Sequence, residues 1–506
     1  MEAQTSRRGN RTVTAKRNGK TRREFLRDVS LGAGAAALLP GFLGGCARAV
    51  ETATKPSAKS GWDVVPEILT RIVSPVWPAH DFDVREYGAV GDGVQDCSAA
   101  FAAAIAACNS AGGGRVTAPP GKYLTGPIHL RSNVNLHVES GATILFSTDP
   151  KKYLPQVLTR FEGVELMGLS PLIYAIDCEN VGVTGGGTLD GQASNEHWWP
   201  WKGKTDFGWT KGTPNGEASR LRLFEMAEKG VPVAERVFGV EDCLRPPFIQ
   251  FYRCRNVLIG RGVRSGRDGI TIVRSPMWEI HPVLSQNVTV RSVHISTHGP
   301  NNDGCDPESC KDVLIETCVF DTGDDCIAIK SGRNADGRRL AVPSENIVIR
   351  GCEMRDGHGG VTIGSEISGG VRNVYVERCT MDSPRLDMAL RFKDNAARGG
   401  VLEHVYMRDV TIGQVADSVL SVDFTYEEGA KGSFTPVVRD VQMQRVTSKK
   451  SKYAVYLRGI ERSMISGVTV SDCTFDGVKS GNVIDHATDV RFENTRINGE
   501  LVNTPK

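Results

Sequence analysis

A chain of 506 residues exceeds what one compact core usually needs, so it is either one elongated repeat domain or two globular ones. Hydrophobic residues at 40% and charged residues at 24% exclude a disordered or membrane-embedded chain, and 56 glycines against 17 Phe and 7 Trp favour a turn-rich β protein. The formal charge of +2 comes from the N-terminus, where the first 30 residues hold nine Lys/Arg and three Asp/Glu; without residues 1–46, 52 basic residues face 56 acidic ones, leaving no surplus to hold nucleic acid.

The first element, residues 1–46, is a targeting segment. Thr21-Arg22-Arg23-Glu24-Phe25-Leu26-Arg27 forms a twin-arginine pattern ahead of the apolar stretch Val29–Leu43. That stretch is short and rich in Gly and Ala, too weak for a permanent membrane span. Leu43-Gly44-Gly45-Cys46 resembles a lipoprotein cleavage box, which would leave a lipid anchor on Cys46, while Ala47-Arg48-Ala49 offers an ordinary signal-peptidase site. Both readings predict an exported protein, periplasmic or held at the cell surface. Residues 47–80 carry Pro, Thr, Ser and Lys without periodicity and read as a linker.

Residues 81–506 form the ordered domain. Ser98–Cys108 places Ala, Phe101 and Ile105 at helical spacing and predicts a short helix that stops at Gly112-Gly113-Gly114. From about residue 130 a unit recurs: an Asn or Asp, then alternating Val/Ile, then a Gly- and Asp-rich turn. Copies start at Asn180, Asn256, Asn287, Asp312, Asn346 and Asn373, with weaker ones at His404, Asp440 and Asp489. Most intervals are 25 to 36 residues, and one gap of 76 must hold an insertion. Short alternating strands at this period, without helices between them, predict an all-β fold, a right-handed single-stranded parallel β-helix with a short N-terminal helix. A β-propeller has a similar period but needs hairpin signals, which are few here.

The cysteines fit stacked turns. Cys178, Cys254 and Cys310 lie two residues before the repeat's Asn/Asp, and Cys318, Cys352 and Cys379 lie six after it. Equivalent positions stack on neighbouring turns, which predicts buried ladders rather than disulfides. The stretch 195–245 interrupts the repeat and holds Trp198, Trp199, Trp201 and Trp209, four of the seven tryptophans. It reads either as a sugar-binding wall at one end of a cleft or as a small satellite core.

Four segments carry chemistry on successive portions of the coil: Asn301-Asn302-Asp303-Gly304, Gly323-Asp324-Asp325-Cys326, Gly357-His358-Gly359 and Arg391-Phe392-Lys393. Asp303 and Asp324 are 21 residues apart, about one turn, so stacking brings three carboxylates into one patch. Alternation puts Asn301 with Asp303 on one face and Arg391 with Lys393 on one face, with Asn302 and Phe392 directed inward. Asp324 and Asp325 can both face outward only if the chain bends, which Gly323 permits.

These segments resemble the signature of glycoside hydrolase family 28, the polygalacturonases, whose pattern is Asn-Thr-Asp, Asp-Asp, Gly-His-Gly and Arg-Ile-Lys in that order. The resemblance covers roughly residues 81–500. Asn302 stands where the family has Thr and Phe392 where it has Ile, both on inward faces. Tyr426 is similar to a tyrosine that lines the sugar site in that family. The resemblance implies Asp324 as general acid, Asp303 and Asp325 as the groups that hold and activate water, and inversion at the anomeric carbon. The residue types suit that chemistry: hydrolysis needs one protonated acid and one ionised base, and three crowded carboxylates cannot all ionise cheaply. His358 would orient the acid, and Arg391 and Lys393, with Asn301, would receive a galacturonate unit. The implied partner is a pectic polysaccharide or an oligogalacturonide; no cofactor or metal is expected, and the enzyme is expected to be a monomer.

The competing chemistry is a calcium-dependent pectate lyase on the same fold, with Asp303, Asp306, Glu308, Asp324 and Asp325 as calcium ligands. A non-catalytic β-helix adhesin would have no reason to carry the full acid, base and cation set. Within the hydrolases, the 195–245 insert favours exo action, and endo-polygalacturonase or rhamnogalacturonan hydrolase stay as alternatives. A second insertion, Arg333–Pro343, offers Arg333, Arg338 and Arg339 either as binders of a terminal carboxylate or as a solvated loop.

Overall fold

The computed structural model describes residues 61–261 and 269–503. The export segment and Cys46 therefore lie outside the described residues. The domain is a right-handed parallel β-helix in which each turn visits three sheets. The first sheet runs through 13 strands, from Asp81–Asp83 to Ala487–Glu493. Inward side chains stack in register from turn to turn. One row of the third sheet is Ile327, Val361, Leu390, Leu420 and Val455, each 0% exposed. A row of the first sheet is Val181, Val257, Val288, Val313, Ile347 and Val374. Branched aliphatics pack well on such a pleated, fully enclosed surface, and the stack supplies the apolar burial that one turn alone lacks.

The repeated Asn/Asp has a backbone cause. Asn180, Asn256, Asn287, Asp312, Asn346, Asn373, His404, Asp440 and Asp489 all sit at φ between 52° and 60°, the left-handed region that short polar side chains tolerate. Asn133, at φ 64°, begins the series. The amides then bond along the stack: Asn180 donates to Asn133 at 2.8 Å, Asn256 to Asn180 at 2.9 Å and Asn287 to Asn256 at 2.7 Å. Gly467, at φ 66°, holds the same register between Asp440 and Asp489. A search for Asn or Asp passes over that turn because glycine meets the same backbone demand without a side chain.

The cysteine ladders are present, and all twelve described cysteines are buried and unpaired. Cys178, Cys254 and Cys310 share a stack with two serines: Ser285 Oγ accepts from the Cys254 amide at 3.0 Å and Ser344 Oγ from the Cys310 amide at 3.1 Å.

Helix α1 (Val65–Arg71) lies where the sequence reads as linker. Val65 and Ile68 bury against Leu314, Val348, Tyr375 and Tyr406 on the outside of the first sheet, and Arg71 pairs with Asp312 at 2.8 Å. Farther along, Val73 bonds to Asn287 and the Trp77 indole donates to the Asn180 carbonyl at 2.7 Å. Residues 61–80 thus form a strap laid across many turns; its six residues in that apolar cluster, Trp62, Val64, Val65, Ile68, Leu69 and Ile72, are too few for periodicity to reveal. Helix α2 (Ser98–Ser110) covers the first turns with Phe101, Ala104, Ile105 and Cys108, and an antiparallel pair, Thr495–Ile497 with Glu500–Val502, closes the far end. Both shield edges that would otherwise invite another strand.

Outside the third sheet, a hairpin (Val157–Phe161 with Val164–Gly168), helix α3 (Glu217–Glu228) and helix α4 (Asn334–Leu340) form a wall. Phe161, Val164, Leu166, Leu223, Ala227, Phe238, Met277 and Trp278 make its separate core. The wall covers the earlier turns of this sheet and leaves the later turns open, which places the site at its border.

Candidate active site

Alternation and two bends bring the four motifs together at the entry to the third sheet. Asn302 is 0% exposed: its Oδ1 accepts from Thr297 Oγ1 at 2.6 Å and from the Gly299 amide at 2.7 Å, so Asn301 and Asp303 face the other way. Phe392 points into the core between Arg391 and Lys393. Asp324 and Asp325 both reach the outer face because the chain turns at Gly323, where a Cβ would lie 2.5 Å from the Gly299 carbonyl oxygen. The glycines flanking His358 have the same origin. A Cβ on Gly357 would meet the Asp324 carbonyl oxygen at 2.5 Å, and one on Gly359 would meet Thr362 Oγ1 at 2.2 Å and Asp325 Oδ1 at 2.9 Å. A Gly359→Ala variant should therefore fold but displace Asp325, and a misplacement of about 1 Å is worth roughly 100-fold in turnover. Steady-state rates beside a thermal melt check this.

Oxygens of Asp303, Asp324 and Asp325 lie within 4.8 Å of one another. Asp324 Oδ1 accepts from His358 Nδ1 at 3.0 Å and from the Asp325 amide at 3.0 Å. Asp325 is wholly buried: Lys393 Nζ donates to Oδ2 at 2.5 Å, Thr362 Oγ1 to Oδ1 at 2.9 Å, and the Arg391 guanidinium stands 3.5 Å away. Asp303 approaches Lys330 Nζ at 3.4 Å. Lys330 also meets Glu366 at 3.2 Å and Asp306 at 3.9 Å, and it lies 4.2 Å from the centroid of the Trp278 ring. Tyr426 borders the recess, with Arg391 and Lys393 at 5.6 and 5.5 Å from its ring centroid.

The charges sort the three carboxyls. Burial pushes Asp303 well above the usual carboxylate range; Asp324 adds to the push and Lys330 opposes it. Burial acts on Asp324 in the same direction, but the His358 hydrogen bond and the charges of His358, Lys393 and Lys330 outweigh it and hold Asp324 low. His358 is correspondingly pushed up to about 9 by its hydrogen bond to Asp324. The crowding argument predicts a neutral carboxyl in the trio; the upward shift falls on Asp303, whereas Asp324 is held low beside a His358 imidazole whose hold on its proton is strengthened.

Residues 246–495 match the model of the family described as Glycosyl hydrolases family 28, and residues 82–148 match that of Rhamnogalacturonase A/epimerase, pectate lyase-like. The crystal structure of a hyperthermoactive exopolygalacturonase from Thermotoga maritima is 48% identical, covers 88% of this chain and 97% of that chain, and superposes with a TM-score of 0.84. The chain belongs to glycoside hydrolase family 28. An exo-poly-alpha-D-galacturonosidase from Dickeya chrysanthemi is 25% identical over 463 residues, spanning 83% of this chain and 74% of that protein. A probable polygalacturonase from Vitis vinifera is 27% identical over 413 residues, spanning 78% and 74%.

In this family 28 hydrolase the five acids read as calcium ligands do not form one set: Asp303, Asp324 and Asp325 converge, whereas Glu308 is engaged apart from them. Glu308 is 0% exposed and pairs with Arg160 at 2.9 Å and His281 at 2.8 Å. Lys330 already stands between Asp303 and Asp306, and Lys393 holds Asp325. The three arginines of the second insertion are also committed. Arg333 pairs with Glu366, Glu427 and Glu428, and Arg339 with Glu165 and Asp336. Arg338 donates to the Ala397 and Arg398 carbonyls. They fasten the wall to the coil instead of awaiting a terminal carboxylate.

The 195–245 insert does border the recess, but not through its tryptophans. Trp198 is buried, and the Trp199 indole donates to the Ser275 carbonyl at 2.9 Å. Lys202 and Arg220 line the recess instead, opposite Asp303, Asp324 and His358. Past Arg391, Lys393 and Tyr426 the recess continues over later turns as a groove bordered by Asp417, Asp423, Lys452, Tyr453 and Tyr456. Sequence reading missed Lys330, although the signal was there: with Ile327 and Ile329 inward, Lys330 must share the outer face.

Proposed function

We propose that this chain hydrolyses α-1,4-linked galacturonides from a chain end, with inversion at the anomeric carbon. The observation that carries this reading is a trio of aspartates in a recess walled by the insert on the side of the earlier turns and open along the later ones. That geometry admits a terminal unit and lets the remaining polymer lie in the groove. The likeness to an exopolygalacturonase at 48% identity supports it.

The proton passed to the glycosidic oxygen comes from the His358–Asp324 pair, crossing their 3.0 Å hydrogen bond so that Asp324 is the donor as the C1–O bond breaks. Asp325, paired with Lys393 and facing Arg391, takes a proton from the water whose oxygen bonds to C1, and Asp303 holds that water from the other side. The spacing within 4.8 Å is narrower than the roughly 6.5–9.5 Å between an acid and a base on opposite faces of a sugar. Inversion rests instead on access: Asp325, at 0% exposure, offers C1 no lone pair directly, whereas a water can bridge. Proton NMR of the first-formed anomer decides it, β for inversion and α for retention.

Digestion of polygalacturonate with chelator present, sized early, tests the whole reading. Saturated monomer, or one short unit, from the earliest times supports it; a ladder of oligomers overturns exo action, and unsaturated product only after calcium is added overturns hydrolysis. The pair also sets a pH limit. Because one proton serves both partners, kcat/KM should fall above about pH 9 as His358 loses it, and His358→Gln should move that alkaline limb to lower pH. A profile with the limb unmoved in the variant would place the proton elsewhere.

A further inference from the structure

One cation in the recess is left unpaired by the protein itself. Lys202 ends the 3₁₀ turn Trp199–Lys202, which is fixed from behind. The Trp198 ring centroid is 5.3 Å from that of Tyr153 and 5.1 Å from that of Trp201, and the Trp201 carbonyl accepts from the Gly216 amide at 2.8 Å. Its cationic neighbours are spoken for. Arg220 makes a two-point pair with Glu162 at 2.6 and 2.7 Å, and Arg245 donates to Asn301 Oδ1 at 2.9 Å and to the Pro276 and Pro300 carbonyls. Among the described residues Lys202 has no carboxylate within 4.0 Å and no hydrogen-bond partner, yet it lines the recess with Asp303, Asp324 and His358. Burial lowers its pKa, Glu162 resists, and Arg245, Arg220 and Lys204 push it down further. A half-buried ammonium among guanidiniums is unfavourable until an anion joins it.

The substrate supplies such an anion on every unit. Arg391 and Lys393 stand on the open side of the aspartates and are held by Asp325, so a uronic unit on the closed side needs its own cation. We infer that Lys202 binds the carboxylate of the terminal unit at the closed end of the recess, and that it makes the enzyme select a uronic acid over a neutral sugar there. This inference rests on the galacturonide reading above.

The test measures binding by calorimetry in an Asp324→Asn background, so that it does not depend on turnover. The ligands are trigalacturonate and the same trimer with its non-reducing unit, or in a second analogue its reducing unit, replaced by galactose. With Lys202 present, one analogue should bind at least about 30-fold more weakly than trigalacturonate, the scale of truncating one partner of a desolvated charge pair. With Lys202→Met, trigalacturonate should weaken by a similar factor and the discrimination should vanish; Lys202→Arg should restore it. Equal loss for all three ligands, or unchanged discrimination in Lys202→Met, overturns the assignment. Failure of trigalacturonate to bind even with Lys202 present overturns the galacturonide reading, and this inference with it.

Discussion

Replacement of Asp324 by Asn should lower kcat by about 10³-fold, within the 10²–10⁴ span of a general acid, with KM and thermal unfolding close to wild type. Asn keeps the volume and an oxygen at Oδ1 for the Asp325 amide, so the turn after Gly323 survives. What it loses is the second home of the pair's proton. His358 then loses the hydrogen bond and the nearest charge that raise its pKa and shifts back toward an ordinary imidazole, so turnover cannot be rescued by raising the proton supply at neutral pH. Asp303→Asn is the informative contrast: burial already favours the neutral carboxyl there, so that variant should cost little stability while impairing water activation. Turnover within tenfold of wild type in Asp324→Asn would remove it as the acid.

Lys330→Met should be the most destabilising single change at the site, by about 3–5 kcal/mol, the cost of leaving a buried counter-charge alone. Lys330 is 2% exposed, and it is the ammonium shared by Asp303, Asp306 and Glu366. The loss should depend on pH with a definite sign. Asp303 and Asp306 have raised pKa values in the fold, chiefly through burial, and Lys330 holds both down. Above the unfolded carboxyl range, near pH 4, an acid with a raised pKa binds its proton more in the folded state, so its contribution falls as pH rises. Without Lys330 that fall steepens, so denaturant melts should show variant and wild type closest near pH 4–5 and farthest apart near pH 8. A pH-independent difference would mean that the ammonium's packing on Trp278, not its charge, is what matters.

The parts of the fold governed by a repeating local demand were legible in the sequence. The left-handed corner requires Asn, Asp or Gly in every turn, and the enclosed sheets require alternating aliphatics, so both leave periodic traces. The motifs were legible for the same reason: Gly357 and Gly359 are glycines because Asp324 and Asp325 approach too closely for a Cβ. Contacts made once leave no period. The strap over residues 61–80 reads as linker because its partners are hundreds of residues away, as with Arg71 and Asp312. The insert's tryptophans stand out by their number, whereas the insert faces the recess with Lys202 and Arg220, and the significance of the lysine lies in what does not surround it. The ordering of the carboxyl pKa values was equally hidden, since it follows from the burial of Asp303 and the hydrogen bond from His358 to Asp324, made between different turns.

The strap has a consequence for how the molecule comes apart. In a solenoid each coil touches only its neighbours, so an end can unzip while the middle stays wound, and stability is a sum of local steps. Here one short segment grips the coil at Tyr406, Tyr375, Val348, Leu314, Asn287 and Asn180 in succession. Fraying from the amino-terminal coils must peel the strap, and peeling it withdraws support from coils far beyond the frayed edge. The tether thus converts a one-dimensional zipper into something nearer an all-or-none unit, and a protein lacking residues 61–80 should melt in a broader, multi-step transition even where its catalytic coils remain intact.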